Sequence, residues 1–135
     1  MTMEDYNRLK TIVDAELTLT QDNVLQKSLN IPFLYHKYLD IFINETREYK
    51  TLKQKVKKKY SDVYADVKFK GNFQLDSKAE VEVFIAKDDV YMDLKHEADM
   101  QETVVQYLEL LLDTISKMSF HIKNFVDIAK FKSGQ

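Results

Sequence analysis

The 135-residue sequence contains no cysteine, one proline and two glycines. Without cysteine the chain can form neither a disulfide nor a thiolate site, which suits a reducing compartment. Because proline and glycine most often interrupt helices and strands, their scarcity predicts few, long elements. Charged residues make up 31% of the chain, and its lysine, glutamate, leucine and alanine residues favour helices. The composition therefore predicts a mainly α-helical chain of one domain, residues 1–135.

Long apolar runs are also absent. No stretch approaches the roughly 18 apolar residues of a membrane span. The first ten residues, MTMEDYNRLK, lack the apolar core of a secretion signal. We therefore expect a cytoplasmic protein with no membrane contact.

Catalytic and metal-binding motifs are missing as well. The sequence contains no H-E-x-x-H, no P-loop and no G-x-S-x-G, and its three histidines are scattered. Asp89, Asp93 and Glu97 are spaced by four residues, but no glycine-rich calcium loop accompanies them. We expect no enzyme activity, no metal site and no cofactor.

The last third of the chain carries a heptad repeat, which is typical of helices that pack against other helices. We expect one terminal helix that begins at Asp88 or Asp89, ends near Phe131 and joins copies of the chain into a homo-oligomer. Alternatively, the apolar stripe packs against helices of its own chain and forms an internal core instead of an interface between copies. The predicted oligomerisation residues are Val104, Leu108, Leu111, Leu112, Ile115, Met118, Ile122 and Phe125.

The rest of the chain predicts a long helical hairpin or coiled-coil-like subunit. Residues 1–30 are expected to form short helices, the second capped by Asp22. Pro32 then begins a long basic helix over residues 32–67, because a proline in the first turn loses no hydrogen bond. Residues 68–87 are expected to form a loop, and residues 88–131 the terminal helix. Val81 to Ile85 alternate as in a short strand, so the region near 68–86 holds either a small β segment or an extended one.

Charge is unevenly distributed along the chain. Residues 45–70 hold nine cations and four anions, a net charge of +5, and residues 76–102 hold nine anions and three cations, a net charge of −6. On a helix, several lysines of the first segment share a face with tyrosines. Cations beside aromatic rings suit single-stranded nucleic acid, because cations neutralise phosphates and rings stack on bases. The alternative is a solvated face with core tyrosines. The candidate nucleic-acid-binding residues are Lys50, Lys53, Lys57, Lys58, Lys59, Tyr60, Tyr64, Lys68 and Lys70.

Three segments resemble the UvsY family of phage recombination mediators, in the same order along the chain. Residues 31–39, IPFLYHKYL, resemble its I-P-x-L-x-x-K-Y-L segment. Residues 119–124, SFHIKN, with Lys130-Phe131, resemble its closing S-F-x-I-K-N and K-F motifs. Ala86-Lys87-Asp88-Asp89 precedes a long helix, as in the family.

The resemblance implies a protein that binds single-stranded DNA, displaces the resident single-strand DNA-binding protein and helps to load a RecA-like recombinase. It also implies a ring of six or seven subunits, and the host cytoplasm as the location. One segment departs from the family. Where the best-known member carries DNA-contacting cations in K-A-R-L-D-Y-Y, residues 61–67 here read SDVYADV. Either the DNA path is shifted toward the flanking lysines or binding is weaker.

Two functions therefore remain open from the sequence. The first is a recombination mediator that binds single-stranded DNA. The second is a coiled-coil homo-oligomeric adaptor that binds only proteins, with lysines that serve solubility.

Overall fold

The computed structural model describes residues 1–70 and 78–134, apart from the side chain of Lys70. Every regular element in these ranges is helical. The elements are α1 (Met3–Leu17), α2 (Val24–Ala65), a π-helical segment (Asp66–Lys70), α3 (Lys78–Ile85), α4 (Asp89–Ser116) and α5 (Met118–Lys132). The predicted mainly α-helical fold is confirmed.

Helix α2 begins earlier than the sequence predicted. Pro32 lies inside α2, so the break expected at residues 30–32 is wrong. Ile31 and Leu34, on either side of the proline, pack on the core of the chain, and this burial outweighs the one lost backbone hydrogen bond. Before the helix, the Asn23 side chain accepts a hydrogen bond from the Thr20 amide at 2.8 Å, which closes the turn ahead of α2 and differs from the N-cap predicted at Asp22.

The segment from Val81 to Ile85 belongs to helix α3, so the strand or extended segment expected there is wrong. Val81 and Ile85, four residues apart, are buried beside Val63 of α2, whereas Val83 is exposed. The i, i+4 pair that a helix places on one face therefore decides the conformation.

The terminal helix predicted over residues 88–131 is two helices, α4 and α5, separated at Lys117. Of the two candidate caps, Asp88 is the one used, since its carboxylate accepts a hydrogen bond from the Tyr91 amide at 2.8 Å. After α5 the chain passes through Gly134, whose φ of 78° favours glycine.

Two compact units divide the chain. Unit 1 comprises Met1–Asn44 and Val104–Gln135, and unit 2 comprises Glu45–Thr103. Helices α2 and α4 contribute residues to both units. The expectation of a single domain stays a prediction.

The heptad stripe forms the core of unit 1. Its buried members lie in one apolar cluster with Leu9 and Val13 of α1 and Tyr38 of α2. The stripe members in this cluster are at most 8% exposed, so they are covered within a single chain. Their role in joining copies of the chain stays a prediction. The clustered residues are Val104, Leu108, Leu111, Leu112, Ile115 and Met118. Ile122 is also buried, and Phe125 is half-buried.

Unit 2 is held together by apolar contacts and one buried polar residue. Leu52 and Ala98 are buried, and Val63, Val81 and Ile85 form a second apolar cluster. Gln101 of α4 is 2% exposed, and its amide donates hydrogen bonds to the Glu45 carbonyl at 2.9 Å and the Glu45 carboxylate at 2.5 Å. Among the described helices, none is long and apolar enough to cross a membrane.

Two leucines of α4 provide a matched test of the core assignment. Leu108 is fully buried and Leu110 is 69% exposed. Leu108→Ala is expected to lower the free energy of unfolding by about 2–5 kcal/mol, because it leaves a cavity. Leu110→Ala is expected to change it by at most about 0.5 kcal/mol. Urea denaturation followed by circular dichroism measures both. Equal losses in the two variants would contradict the assignment.

Candidate nucleic-acid interface

A mixed basic and aromatic face runs along the part of α2 that lies in unit 2. It consists of Tyr49, Lys53, Lys57, Tyr60 and Tyr64, whose spacings of three and four residues keep the side chains on one side of a helix. No glycine or further proline interrupts α2 in this region, so the face is continuous. The predicted combination of lysines and tyrosines on one helix face is present.

Helix α4 lies across from this face and closes a groove of about 350 Å³, defined here as the lysine groove. Lys53 and Lys57 border it from α2 and Lys95 borders it from α4. Asp99 supplies the single carboxylate among its bordering residues, so the groove is net positive. The other residues around it are Tyr49, Val56 and Ala98.

Tyr49 provides an aromatic surface at the lysine groove. The Lys53 ammonium lies 4.6 Å from the centre of the Tyr49 ring, within the range of a cation–π contact. Burial, together with the nearby charge of Glu102, raises the pKa of the Tyr49 hydroxyl. The shift reinforces the neutral state that a phenol has at physiological pH, so the ring presents no negative charge beside Lys53.

A second groove of about 370 Å³, defined here as the tyrosine groove, lies beside the first. Tyr60 of α2 and Tyr91 of α4 border it, with ring centres 5.9 Å apart. Burial and the charge of Glu82 raise the pKa of the Tyr60 hydroxyl, which lies 3.5 Å from the Glu82 carboxylate. Lys95 borders this groove as well.

Tyr60 and Tyr64 each contribute to the apolar core and to the exposed surface. Tyr60 and Tyr64 stack with ring centres 6.4 Å apart, and both pack on the apolar cluster of unit 2 while remaining half-exposed. The Lys68 ammonium lies 5.9 Å from the centre of the Tyr64 ring. Both sequence interpretations, core tyrosines and stacking tyrosines, are compatible with this arrangement.

The remaining candidate lysines are more scattered. Lys50 and Lys58 are exposed and Lys59 is half-buried, and none of the three borders either groove. The side chain of Lys70 lies outside the described residues. The structure thus brings Lys53 and Lys57 to one groove with Tyr49 and places Lys68 near Tyr64, whereas Lys50, Lys58 and Lys59 are dispersed positive charge.

Sequence reasoning missed three residues of this region: Tyr49, Tyr91 and Lys95. The Tyr49–Lys53 pair could have been found from its i, i+4 spacing. Tyr91 and Lys95 have the same spacing, but the sequence does not relate them to the lysines of α2, because only the packing of α4 on α2 brings the two sets together. Within residues 1–70 and 78–134, no group of three or more acidic or histidine side chains could hold a metal ion.

Comparisons with known proteins place the chain in a family and identify structures of the same fold. Residues 11–135 match the family model described as recombination, repair and ssDNA binding protein UvsY. One crystal structure of the bacteriophage T4 recombination mediator protein UvsY is similar over 98% of this chain and 99% of that chain, with a TM-score of 0.81 and 17% identity. Another lattice form of that protein gives a TM-score of 0.77 and 19% identity, with 98% of each chain covered.

No curated protein matches the sequence. At such identities the crystal structures establish a shared fold, and the family model carries the assignment itself. Because that model covers nearly the whole chain, the protein belongs to the UvsY family of recombination, repair and single-stranded-DNA-binding proteins.

Proposed function

We propose that this protein is a recombination mediator, which binds single-stranded DNA and promotes loading of a RecA-like recombinase onto DNA covered by single-strand DNA-binding protein. The observation that carries the proposal is the lysine groove, where Lys53 lies over the Tyr49 ring and Lys57 borders the same groove. Family membership supports the DNA-binding part of this role.

The chemistry of the groove suits a DNA backbone. Lysine ammonium groups neutralise phosphates and release condensed counterions, which makes binding weaken as salt rises. Phosphate contacts carry no base information, so sequence preference is slight. Half-exposed tyrosines add stacking that tolerates any base. The dispersed cations add to the positive field around this site; they are Lys50, Lys58, Lys59 and Lys68, and Lys70 is a further candidate from the sequence.

Assembly of several copies would strengthen a modest site by avidity, because each further contact is made at high effective concentration. Helix α5 offers a surface for it. Phe120, Ile128 and Phe131 are 64%, 56% and 84% exposed, and at 100° per residue they lie within about 80° of one another. An apolar helix face of this kind suits association between copies, with six or seven subunits expected from the family resemblance.

A second apolar surface supports contact with other proteins, which is also the basis of the adaptor alternative. Leu25, Leu29 and Phe33 of α2 are spaced by four residues and are 72%, 69% and 78% exposed. We propose this stripe as the site for the recombinase or the single-strand DNA-binding protein. A mediator needs both this stripe and the lysine groove, whereas an adaptor needs the stripe alone.

The DNA-binding part of the proposal is tested by Lys53→Ala combined with Lys57→Ala. Affinity for a labelled oligonucleotide is expected to fall, and the slope of log affinity against log salt to become shallower by about 0.7 for each lost phosphate contact. Fluorescence anisotropy at several salt concentrations measures both. The control, Lys10→Ala combined with Lys55→Ala, removes the same charge outside the grooves. Unaltered protein that fails to bind at low salt would end the proposal.

Mediation requires a separate experiment. When a RecA-like recombinase is added to DNA already covered by single-strand DNA-binding protein, we expect this protein to shorten the lag before DNA-dependent ATP hydrolysis. The Lys53→Ala, Lys57→Ala variant is expected to leave the lag long, because the DNA contact drives loading. If that variant shortens the lag fully despite its lost DNA binding, the adaptor function is the correct one.

Assembly is tested with paired surface variants. Ile128→Ser combined with Phe131→Ser is expected to reduce the native mass measured by light scattering, because it removes two exposed apolar side chains from α5. Leu29→Ser combined with Phe33→Ser makes an equivalent change on α2 and is expected to leave the mass unchanged. A reduced mass in the second variant alone would place the interface on α2 and contradict the assignment to α5.

A further inference from the structure

The lysine groove and the tyrosine groove share one residue, Lys95 of α4. It is the single lysine or arginine of α4, in a segment that is otherwise strongly acidic. Its side chain is exposed. The one cation that α4 carries therefore stands where two grooves meet, opposite the lysines of α2.

The lysines at the lysine groove outnumber its one bordering carboxylate. Lys53, Lys57 and Lys95 border one groove, and like charges close together repel one another. Among the residues whose side chains the structure describes, neither Lys57 nor Lys95 forms an ion pair within 4.0 Å. Asp99 at the lysine groove and Glu82 at the tyrosine groove are the carboxylates nearby. A polyanion threaded between the helices would relieve the repulsion.

Two tyrosines lie close to Lys95. Tyr91 precedes Lys95 by one helical turn, so the two share a face of α4, and the Tyr91 ring faces Tyr60 of α2 at 5.9 Å. The grooves measure about 350 and 370 Å³, near the lower end of the roughly 300–1,000 Å³ typical of small-ligand sites. Each is the right size for one nucleotide-sized piece of a strand.

We propose that α4 forms a second wall of the DNA site, in which the Lys95 ammonium contacts a backbone phosphate and Tyr91 takes part in base stacking. This inference rests on the proposed DNA-binding function. With Lys95 included, the site is a groove with cations on two helices, α2 and α4, rather than a row of cations along α2 alone. A strand held from two sides is fixed in direction as well as in position.

The first test compares Lys95→Ala with Lys55→Ala, which removes the same charge from an exposed position that borders neither groove. Lys95→Ala is expected to weaken oligonucleotide binding by about threefold to tenfold near 100 mM salt and to make the salt slope shallower by about 0.7 per bound subunit. Lys95→Arg is expected to restore the slope, since it keeps the charge. Lys55→Ala is expected to alter neither quantity appreciably.

The second test uses the absence of cysteine. In the full-length protein, Lys95→Cys introduces the only thiol, which is expected to form a mixed disulfide with an oligonucleotide that carries an activated thiol tether on its backbone. Lys55→Cys, the matched control, is expected to crosslink much more slowly. Crosslinking reports distance to the DNA, which a structural role of Lys95 in the fold would not provide.

The outcomes separate this inference from the function on which it rests. The inference is overturned if Lys95→Ala leaves the salt slope unchanged and positions 95 and 55 crosslink equally. The proposed function still holds in that case, provided that the Lys53→Ala, Lys57→Ala variant loses binding. Absence of DNA binding by the unaltered protein overturns the proposed function as well. A shallower slope in Lys95→Ala together with selective crosslinking at position 95 establishes α4 as the second wall.

Discussion

The candidate site depends on how α4 packs against α2 within unit 2. Gln101 is the buried polar side chain of this contact, and its amide is satisfied by the carbonyl and the carboxylate of Glu45. A buried amide without partners costs about 1–3 kcal/mol, so this pair favours one register of the two helices over its neighbours. In that register Ala98 is buried and Lys95 borders the groove that Lys53 and Lys57 also border.

The tyrosines of unit 2 show how a small protein combines stability with binding. Tyr60 and Tyr64 cover the apolar cluster of Val63, Val81 and Ile85 and keep part of their rings exposed. A phenol suits this double role, because its ring is apolar and its hydroxyl can remain wet. Tyr60 is a neutral phenol at physiological pH, and its pKa is raised further by burial and by Glu82, so it does not repel an anion. The same residues can therefore support the fold and meet a DNA base.

In the proposed site, the two helices that form the walls, α2 and α4, carry opposite net charge in this region. The basic segment of α2 supplies most of the cations, whereas the segment that contains the start of α4 is acidic. Asp99 borders the lysine groove and Glu82 borders the tyrosine groove. In the proposed site these carboxylates would repel a phosphate backbone, so a bound strand would lie closer to the lysines.

The sequence by itself determined the helical class, the basic stretch of α2 with its tyrosines, and the apolar stripe from Val104 to Met118. Each of these follows from local spacing, and helical periodicity is a local property. The tertiary structure decided what covers the stripe: α1 and the first half of α2 bury it in unit 1, so burial of an apolar face did not require a second copy. It also decided that Pro32 lies within a helix and that Val81 to Ile85 are helical, because contacts with distant residues outweighed local preferences. Finally, only the packing of α4 on α2 brought Lys95 and Tyr91 close to the lysines of α2, because the spacing of residues along the chain does not show which helices pack together.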